Sequence, residues 1–363
     1  MWNLLRPDSF RVLSDRKVRR GYRRYLQIVE DQLIAKFLIA HKIPADYSEN
    51  DPLEKLWAIH EQLTKEYYGL EKRVDQSEID LKELFVSERS YFDLKVEIAR
   101  QMLKSCRLCE RKCNVDRLAG KLGYCKCGNQ LLVSSMFEHL GEEPEISPSF
   151  TIFTLGCNLK CRHCQNWTIS QWYEAGTFAS SENLVKGVER ARKKGCRNAN
   201  LVGGDPTPWT YHWLEVFRHI NVNIPVFWNT NGYYSEECAN LLTGFVDIYK
   251  IDFKYGNDEC AVRISDAPNF FKVCTRNLLM AKEYGDVLIR VLVLPKHSEC
   301  CTKPILSWIA KNLGPATRVN IMDQYRPEWR AYEIPELRSG LTRQEFEEAF
   351  KFADEVGLEN VTT

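Results

Sequence analysis

The stretch Thr154-Leu-Gly-Cys157-Asn-Leu-Lys-Cys161-Arg-His-Cys164-Gln-Asn-Trp167 places three cysteines within eight residues. It directly follows an apolar run, 150–155, which indicates a buried strand. Thiolates at this spacing suit a soft metal or an iron–sulfur cluster, and three of them leave one coordination position free for a group that is not protein. The stretch therefore predicts a strand followed by an open metal site.

Beyond this stretch, short β-rich runs alternate with helical patterns, which predicts βα units around a parallel sheet. The predicted strands are 150–155, 198–202, 225–229, 246–251, 287–293 and 317–322. The predicted helices are 181–195, 208–220, 235–243, 268–284, 301–313 and 342–356. Six units make about three quarters of an eight-unit barrel, whose chemistry lies at the C-terminal ends of the strands. The expected fold is thus α/β, a partial (β/α)6 parallel barrel with the cysteine stretch on its active rim.

Polar and glycine residues follow the other predicted strands, so we expect them on the same rim. After the second to fourth strands these are Gly203, Gly204, Asp205, Asn229, Asn231, Gly232, Asp252 and Lys254. His297 and Tyr325 follow the fifth and sixth strands, and for both we expect an ordinary structural hydrogen bond. His163 is expected to be a neighbour of the cysteines and not a ligand.

A second group of five cysteines precedes the barrel. It consists of Cys106, Cys109, Cys113, Cys125 and Cys127, with glycines at its turns. Four thiolates suffice for a closed site, which could be structural zinc or an auxiliary iron–sulfur cluster. We favour the cluster, with Cys106, Cys109, Cys113 and Cys125 as ligands, and Cys127 in place of Cys125 as the alternative. The six remaining cysteines, for which we expect ordinary packing, are Cys196, Cys238, Cys260, Cys274, Cys300 and Cys301.

The first 104 residues lack cysteine and predict a helical extension with a packing role. One helix would carry the apolar residues Leu26, Val29, Leu33, Phe37 and Ile39. A second would begin near Pro52 and face inward with Leu53, Leu56, Trp57, Ile59 and Leu63. The predicted domains are therefore a helical extension over 1–104, a cysteine-rich segment over 105–148 and the barrel over 149–363.

The composition indicates which binding surfaces and which cellular location to expect for the protein. Of 363 residues, 44% are apolar and 27% charged, and 50 basic residues balance 49 acidic ones, so there is no electrostatic case for a nucleic-acid or membrane surface. Fourteen cysteines without an apolar targeting segment predict a reducing, cytoplasmic location. No run of about 18 apolar residues occurs, so we expect no membrane-spanning helix.

The pattern Cys157, Cys161 and Cys164 after a first strand, with a Gly-Gly-acidic segment after the second, resembles the radical S-adenosylmethionine (SAM) superfamily. Within it, the chain resembles the pyruvate formate-lyase activating enzyme-like branch, in members with an extra N-terminal cysteine motif. The segments that carry this finer resemblance are 106–113, 202–208, 229–232 and 322–327. It covers residues 106 to about 357 and leaves 1–104 outside.

The resemblance implies a catalytic 4Fe-4S cluster on Cys157, Cys161 and Cys164, whose fourth iron binds SAM. It also implies cofactor contacts, with Gly203 and Gly204 beside the methionyl group, Asp205 near its ammonium, and Trp167 near the adenine. Asn229, Asn231 and Gly232 match a segment near the nucleoside, and Asp252 and Lys254 match the Asp-x-Lys motif of activating enzymes. The family usually has Glu where Asp205 stands.

The implied activity is reductive cleavage of SAM to a 5'-deoxyadenosyl radical, which abstracts hydrogen from a protein, peptide or small metabolite. The nearest family role is installation of a glycyl radical on a partner enzyme, and a protein such as flavodoxin or ferredoxin would supply the electron. The alternative is a zinc-bearing scaffold or RNA-binding protein that retains the fold without turnover.

Overall fold

Nine strands of the described chain form one open sheet. The computed structural model describes residues 5–84 and 87–363. Its strands are β1 (Leu132–His139), β2 (Ser149–Thr154), β3 (Thr177–Phe178), β4 (Ala199–Gly203), β5 (Val226–Thr230), β6 (Ile248–Asp252), β7 (Asp286–Leu292), β8 (Arg318–Met322) and β9 (Val361–Thr362). They lie side by side in the order β3-β1-β2-β4-β5-β6-β7-β8-β9.

The centre of the sheet is parallel. β2, β4, β5, β6, β7 and β8 pair in parallel, with Phe150 opposite Ala199 at the start of the β2–β4 ladder. β9 adds two residues in the same direction, whereas β1 and β3 extend the other side antiparallel. All six predicted strands are confirmed within two residues of their predicted bounds. Parallel strands are buried on both faces, as all five residues of β5 are, and this makes them visible as apolar runs. The partial (β/α)6 barrel is therefore confirmed.

Helices connect the parallel strands and also begin the chain. They are α1 (Pro7–Arg11), α2 (Arg16–Gly21), α3 (Tyr25–Val29), α4 (Lys36–Ala40), α5 (Leu53–Asp75), α6 (Tyr91–Met102), α7 (Trp167–Ser170), α8 (Ser181–Lys193), α9 (Thr210–Phe217), α10 (Glu236–Leu242), α11 (Asp258–Ser265), α12 (Phe270–Tyr284), α13 (Lys303–Leu313) and α14 (Arg343–Glu355). All six predicted barrel helices are present. α11 was not predicted, although Asn257 caps its first turn by accepting a hydrogen bond from the Cys260 backbone N–H. Within the two described ranges, no helix is long and apolar enough to cross a membrane.

One predicted helix of the N-terminal extension is wrong. The apolar residues from Leu26 to Ile39 lie on two short helices, α3 and α4, and on the turn between them. Asp31 adopts a left-handed backbone with φ of 56°, which ends the first of these helices. The Asn223 side chain then accepts a hydrogen bond from the Ala35 backbone at 2.8 Å. Helical spacing cannot reveal such tertiary contacts.

The second predicted helix of the extension is confirmed as α5, which follows Pro52. Leu56 and Leu63 of its predicted inner face are buried, and Leu53, Trp57 and Ile59 are partly buried. Residues 1–4 and 85–86, which the predicted extension includes, lie outside the described residues.

An aromatic cluster joins the extension to the barrel. The Phe37 ring lies 5.2 Å from the Phe217 ring, and the Phe92 ring lies 5.6 Å from the Phe245 ring, measured between centroids. All four side chains are fully buried, so helices α4 and α6 share a hydrophobic core with the barrel. The domain boundaries after 104 and 148 stay predictions.

Candidate active site

The first cysteine loop rests on the end of a helix. It follows β2, and its Lys160 and Arg162 backbone N–H groups donate to Ser265 O at 3.0 Å and Ile264 O at 2.9 Å. These carbonyls belong to the last turn of α11, which has no helical partners for them. The loop therefore depends for its position on α11, a helix outside the predicted set.

The three thiols of the loop are shielded from water. Cys157 and Cys161 are buried and Cys164 is half-buried. Burial, the nearby Asp205 carboxylate and the other thiols raise the pKa of Cys157, and burial together with Cys161 raises the pKa of Cys164 to about 11. The Leu159 backbone N–H and the Asn231 amide both donate to Cys157 Sγ, at 3.4 and 3.5 Å. A positive metal centre would displace the thiol protons, and these donors would then stabilise the thiolate.

A cavity of about 650 Å³ opens beside the thiols. It brings together ten of the predicted site residues, namely Cys157, Cys161, Cys164, Gly203, Gly204, Asp205, Asn229, Asn231, Asp252 and Lys254. Among the described residues that line it, Trp167 and Gly232 do not appear. Trp167 instead packs its ring edge-on against Tyr173, and Gly232 adopts φ of 77° in the turn after β5.

The two glycines at the end of β4 pack against the main chain at the end of β2 and in the cysteine loop. A Cβ on Gly203 would lie 2.3 Å from Thr154 O, and one on Gly204 would lie 2.2 Å from Gly156 O. Gly203 also has φ of 127°, which side chains disfavour. Only glycine fits at these two positions, and their predicted place beside the methionyl group stays a prediction.

Asp205 braces two loops of the rim. Its fully buried carboxylate accepts hydrogen bonds from Thr207 N at 2.9 Å, Thr230 Oγ1 at 3.0 Å and Asn231 N at 2.8 Å. Burial raises the pKa of Asp205, although these hydrogen bonds oppose it. The loops after β4 and β5 are thereby tied together. The predicted contact between Asp205 and the cofactor's ammonium stays a prediction.

Asn158 is a buried site residue that the sequence analysis missed. Its Oδ1 accepts from Asn231 Nδ2 at 2.7 Å, and its Nδ2 donates to Tyr233 O at 2.9 Å. It thus locks the cysteine loop to the turn after β5. Its position directly after Cys157 was the feature of the sequence that could have identified it as a site residue.

A three-residue charge group forms the wall after β6. Asp252 accepts from Lys250 Nζ at 2.7 Å and from Lys254 Nζ at 2.8 Å. Burial alone would raise the pKa of Asp252, but the two ammonium groups and Arg290 lower it well below its usual range. Burial opposes the charged form of Lys254, yet Asp252 and the Cys161 thiolate raise its pKa. Asp252 and Lys254 are therefore charged at neutral pH, whereas burial and the charge of Arg290 lower the pKa of Lys250.

A second group of charged residues also lines the cavity. Arg290 on β7 donates to Glu143 Oε1 and Glu142 Oε2, both at 2.6 Å, and Asn320 on β8 donates to Glu143 Oε1 at 2.7 Å. Although burial opposes it, the charge of Arg290 lowers the pKa of Glu142 to about 2. None of these residues was predicted. Lys250, Arg290 and Asn320 could have been identified, because each is a polar residue in the middle of a mostly apolar strand, β6, β7 or β8.

The second cysteine segment packs against the first loop. Its backbone bridges to the turn after β5, where Cys109 pairs with Tyr234 and the Ser235 N–H donates to Leu108 O at 3.1 Å. The buried Arg117 donates to Pro208 O at 2.6 Å and lies 3.8 Å from Cys106 Sγ. The segment is thus part of the same rim, with a cation facing its thiols.

Cys125 and Cys127 differ in their surroundings. Cys127 is fully buried, and its Sγ donates to Cys125 O at 3.5 Å and Leu155 O at 3.7 Å. Burial raises the pKa of Cys127 well above its usual value. A hydrogen bond from Cys127 and the charge of Arg117 lower the pKa of Cys125 to about 6. Of the two, Cys125 has the thiolate character that a metal ligand needs.

The two predicted cysteine groups differ from a third group, formed by Cys260, His297 and Cys300, in the distances between their ligand atoms. Among the described residues, three ligand atoms come within 4.8 Å of one another only at Cys260, His297 and Cys300. Two thiolates on one zinc ion lie about 3.8 Å apart, given Zn–S bonds of about 2.3 Å. In neither predicted cysteine group do three ligand atoms of described residues lie within 4.8 Å of one another.

The rim residues His297 and Tyr325 both take part in structural hydrogen bonds. Tyr325 donates a hydrogen bond to Leu337 O, and His297 Nδ1 contacts Pro295 O at 2.7 Å, so both expected structural hydrogen bonds are present. Cys260 and Cys300, for which ordinary packing was expected, have their sulfur atoms 3.8 Å apart beside His297. No sequence pattern indicated that these two positions would meet, because α11 was not predicted.

The fold and site together define a class: an open parallel βα barrel with a three-thiol loop after its first parallel strand and a polar cavity beside it. A sequence profile of the Radical SAM superfamily matches residues 151–309. The uncharacterised protein MJ0674 of Methanocaldococcus jannaschii is 40% identical over 342 residues, which are 93% of this chain and 98% of that protein. MJ0808 of the same organism is 24% identical over 63% of this chain and 73% of its own length. The chain belongs to the radical SAM superfamily, whose members are generally iron–sulfur enzymes that use a 4Fe-4S cluster and SAM.

Solved structures show a looser likeness. SuiB of Streptococcus suis bound to SAM has a TM-score of 0.42 and 13% identity, over 57% of this chain and 48% of SuiB. TYW1 with a lysine-pyruvate adduct bound has a TM-score of 0.37 and 14% identity, over 56% of this chain and 73% of TYW1. This chain thus spans about half the length of SuiB.

Proposed function

We propose that the protein is a cytoplasmic radical SAM enzyme that cleaves SAM reductively and starts hydrogen abstraction from its substrate. The observation that carries the proposal is the convergence of Cys157, Cys161 and Cys164 on a charged cavity next to a glycine edge. When bound, the cluster and SAM supply the electron and the 5'-deoxyadenosyl radical. The residues of this chain supply binding, orientation and shielding from water.

The chain's own groups suit a cluster and a zwitterionic ligand. The N–H of Leu159 and the amide of Asn231 donate to Cys157 Sγ, and Lys254 places a positive charge near Cys161. Asp252 and Lys254 stay charged at neutral pH, so they orient a charged ligand and move no proton. The low exposure of the thiols keeps water from the reacting atoms.

A second 4Fe-4S cluster on Cys106, Cys109, Cys113 and Cys125 is part of the proposal, with zinc as the alternative occupant. The buried Arg117, which lies 3.8 Å from Cys106 Sγ, supports the cluster because a nearby cation stabilises thiolate ligands. Cys127 is left out because its thiol is directed at two backbone carbonyls.

The substrate class and partners are proposed from the resemblance to activating enzymes. The segments 202–208 and 322–327, together with Asp252 and Lys254, support a protein or peptide substrate with installation of a glycyl radical. Flavodoxin or ferredoxin is the proposed reductant. Anaerobic incubation with SAM, reductant and a glycyl-radical partner should give a backbone radical signal, and silence with an authentic partner would exclude this role.

The experiment for the main proposal is anaerobic reconstitution followed by iron and sulfide analysis and an assay for 5'-deoxyadenosine. About eight irons per chain would support two cubane clusters, and about four would support one. Cys161→Ala should reduce 5'-deoxyadenosine to background while removing about four irons. Cys196→Ala, which truncates a buried thiol at the end of α8, is the matched control. Protein without iron that holds zinc among sulfur ligands alone would favour the inactive scaffold.

A further inference from the structure

We propose that Cys260, His297 and Cys300 bind one Zn²⁺ ion at a site separate from the cavity. Their three ligand atoms lie within 4.8 Å of one another, and the two sulfur atoms lie 3.8 Å apart. This is the separation of two thiolates on one tetrahedral zinc, about 3.8 Å for Zn–S bonds of about 2.3 Å. Cys260 lies in the first turn of α11, and the other two residues lie in the turn between β7 and α13.

His297 is prepared for coordination. Its ring is buried, and its Nδ1 donates to Pro295 O at 2.7 Å, which leaves Nε2 with the lone pair that a metal needs. Arg263 Nη2 lies 3.3 Å from this Nε2 and also forms an ion pair with Glu336. A metal ion would displace the guanidinium from the ring, and the ion pair with Glu336 would hold it nearby.

An amide organises the sulfur atoms. Asn257 Nδ2 lies 3.4 Å from Cys260 Sγ and 3.9 Å from Cys301 Sγ, and it donates to Cys300 O at 2.7 Å. Donors of this kind stabilise thiolates around a metal. The fourth position belongs to a water molecule.

The donor set selects the metal. Two thiolates and a neutral imidazole fit zinc, and they are too close together for the ligands of a cubane cluster. The 3.8 Å sulfur separation is also longer than the roughly 2.05 Å of a disulfide. A disulfide between Cys260 and Cys300 is therefore the competing outcome of the test.

The site has a structural consequence for the cysteine loop. α11 carries Cys260 near its start, and its last turn accepts the backbone N–H groups of Lys160 and Arg162. Zinc would fasten this helix to the turn after β7 and so hold the platform on which the cysteine loop rests. The inference does not depend on the proposed radical chemistry.

The test is metal analysis of the full-length protein after anaerobic reconstitution and exhaustive dialysis against metal-free buffer. We expect about one zinc per chain, and a zinc-edge X-ray absorption spectrum with sulfur at about 2.3 Å and nitrogen at about 2.0–2.1 Å. Cys260→Ser and His297→Gln should each lower bound zinc at least tenfold. Cys196→Ala should retain it.

Three results would overturn the proposal. These are protein without zinc, zinc with only sulfur ligands that Cys260→Ser leaves in place, and a Cys260–Cys300 disulfide in protein prepared without oxidant. If both variants fail to fold, the ligand set in the wild-type spectrum still decides, because a mixed sulfur and nitrogen shell cannot come from a site made of cysteines alone.

Discussion

At the scale of single residues, the rim depends on side chains that hold loops together. Asp205 was predicted for its charge, and the structure adds three accepted hydrogen bonds that join the loops after β4 and β5. Gly203 and Gly204 were predicted for backbone exposure, and they also allow close contact with the cysteine loop. Sequence patterns identify such residues, but only the folded chain reveals what they touch.

Replacing Asp205 with Asn should destabilise the protein. One acceptor oxygen becomes an NH₂ group that faces the donors Thr230 Oγ1 and Asn231 N or the donor Thr207 N. We expect the free energy of unfolding to fall by about 2–3 kcal/mol, measured by urea denaturation. Thr230→Ser, which keeps the hydroxyl donor, should lose about 1 kcal/mol. Equal losses in the two variants would contradict the bracing role.

Replacing Gly204 with Ala should disturb the cysteine loop. The new Cβ would lie 2.2 Å from Gly156 O, so the main chain has to move. We expect SAM affinity to fall at least about tenfold by calorimetric titration, since tenfold corresponds to about 1.4 kcal/mol. Gly340→Ala is the control, because a Cβ there meets nothing within 4 Å. Unchanged SAM affinity in Gly204→Ala would show that the cysteine loop can move to accommodate the new Cβ.

At the scale of elements, the sequence predicted the parallel strands far better than the pieces that join them. β2, β5 and β8 are recognisable because both of their faces are buried, and burial demands apolar residues. β1 was missed since its outward residues are mostly exposed, and β3 and β9 have two residues each. The eight-residue helix α11 was also missed. Because Cys260 lies on this helix, the proximity of Cys260 and His297 was not predicted either.

The same limit applies to the candidate site. Ten predicted residues line the cavity because strand ends of a parallel sheet meet at one edge. Glu142 and Glu143 were missed because they lie in the loop between β1 and β2, where no strand-end rule applies. Their pairing with Arg290 is a tertiary contact between distant parts of the chain.

Within the second cysteine segment, Arg117→Leu should have a large effect. The guanidinium is fully buried and donates to Pro208 O and Gly128 O, so its loss leaves buried carbonyls without donors. We expect about 3 kcal/mol lower stability, measured by urea denaturation, and loss of about four irons per chain. Arg107→Leu, the same change at a half-exposed position of the segment, should retain the iron. If Arg117→Leu retains all of its iron, Arg117 does not contribute to metal binding by this segment.

At the scale of the whole molecule, the extension and the barrel share one core, and His41 lies among aromatic residues of the extension that belong to it. Its ring packs against Phe37 and Phe92. Burial lowers the pKa of His41 to about 4. In an unfolded chain this group titrates near about 6.5. Between about pH 4 and 6.5 the unfolded state binds more protons, so stability falls as pH is lowered through this window.

His41→Gln should therefore flatten the pH dependence of stability. We expect the wild type to lose about 1–2 kcal/mol more than this variant between about pH 7 and pH 5, measured by urea denaturation at each pH. His219→Gln, at an exposed position two residues after α9, should follow the wild type. Identical slopes for the wild type and His41→Gln would mean that His41 is accessible to protons in the folded state.

The pairing of the second cysteine segment with the turn after β5 also fixes an order of assembly. Leu108 and Ser235 are more than a hundred residues apart along the chain, and their backbone hydrogen bond forms only when β5 has joined the sheet. During synthesis, the thiols of this segment therefore emerge long before the surface that positions them. If the segment holds the proposed cluster or zinc, the metal is inserted late in maturation, and until then those cysteines are exposed to oxidants.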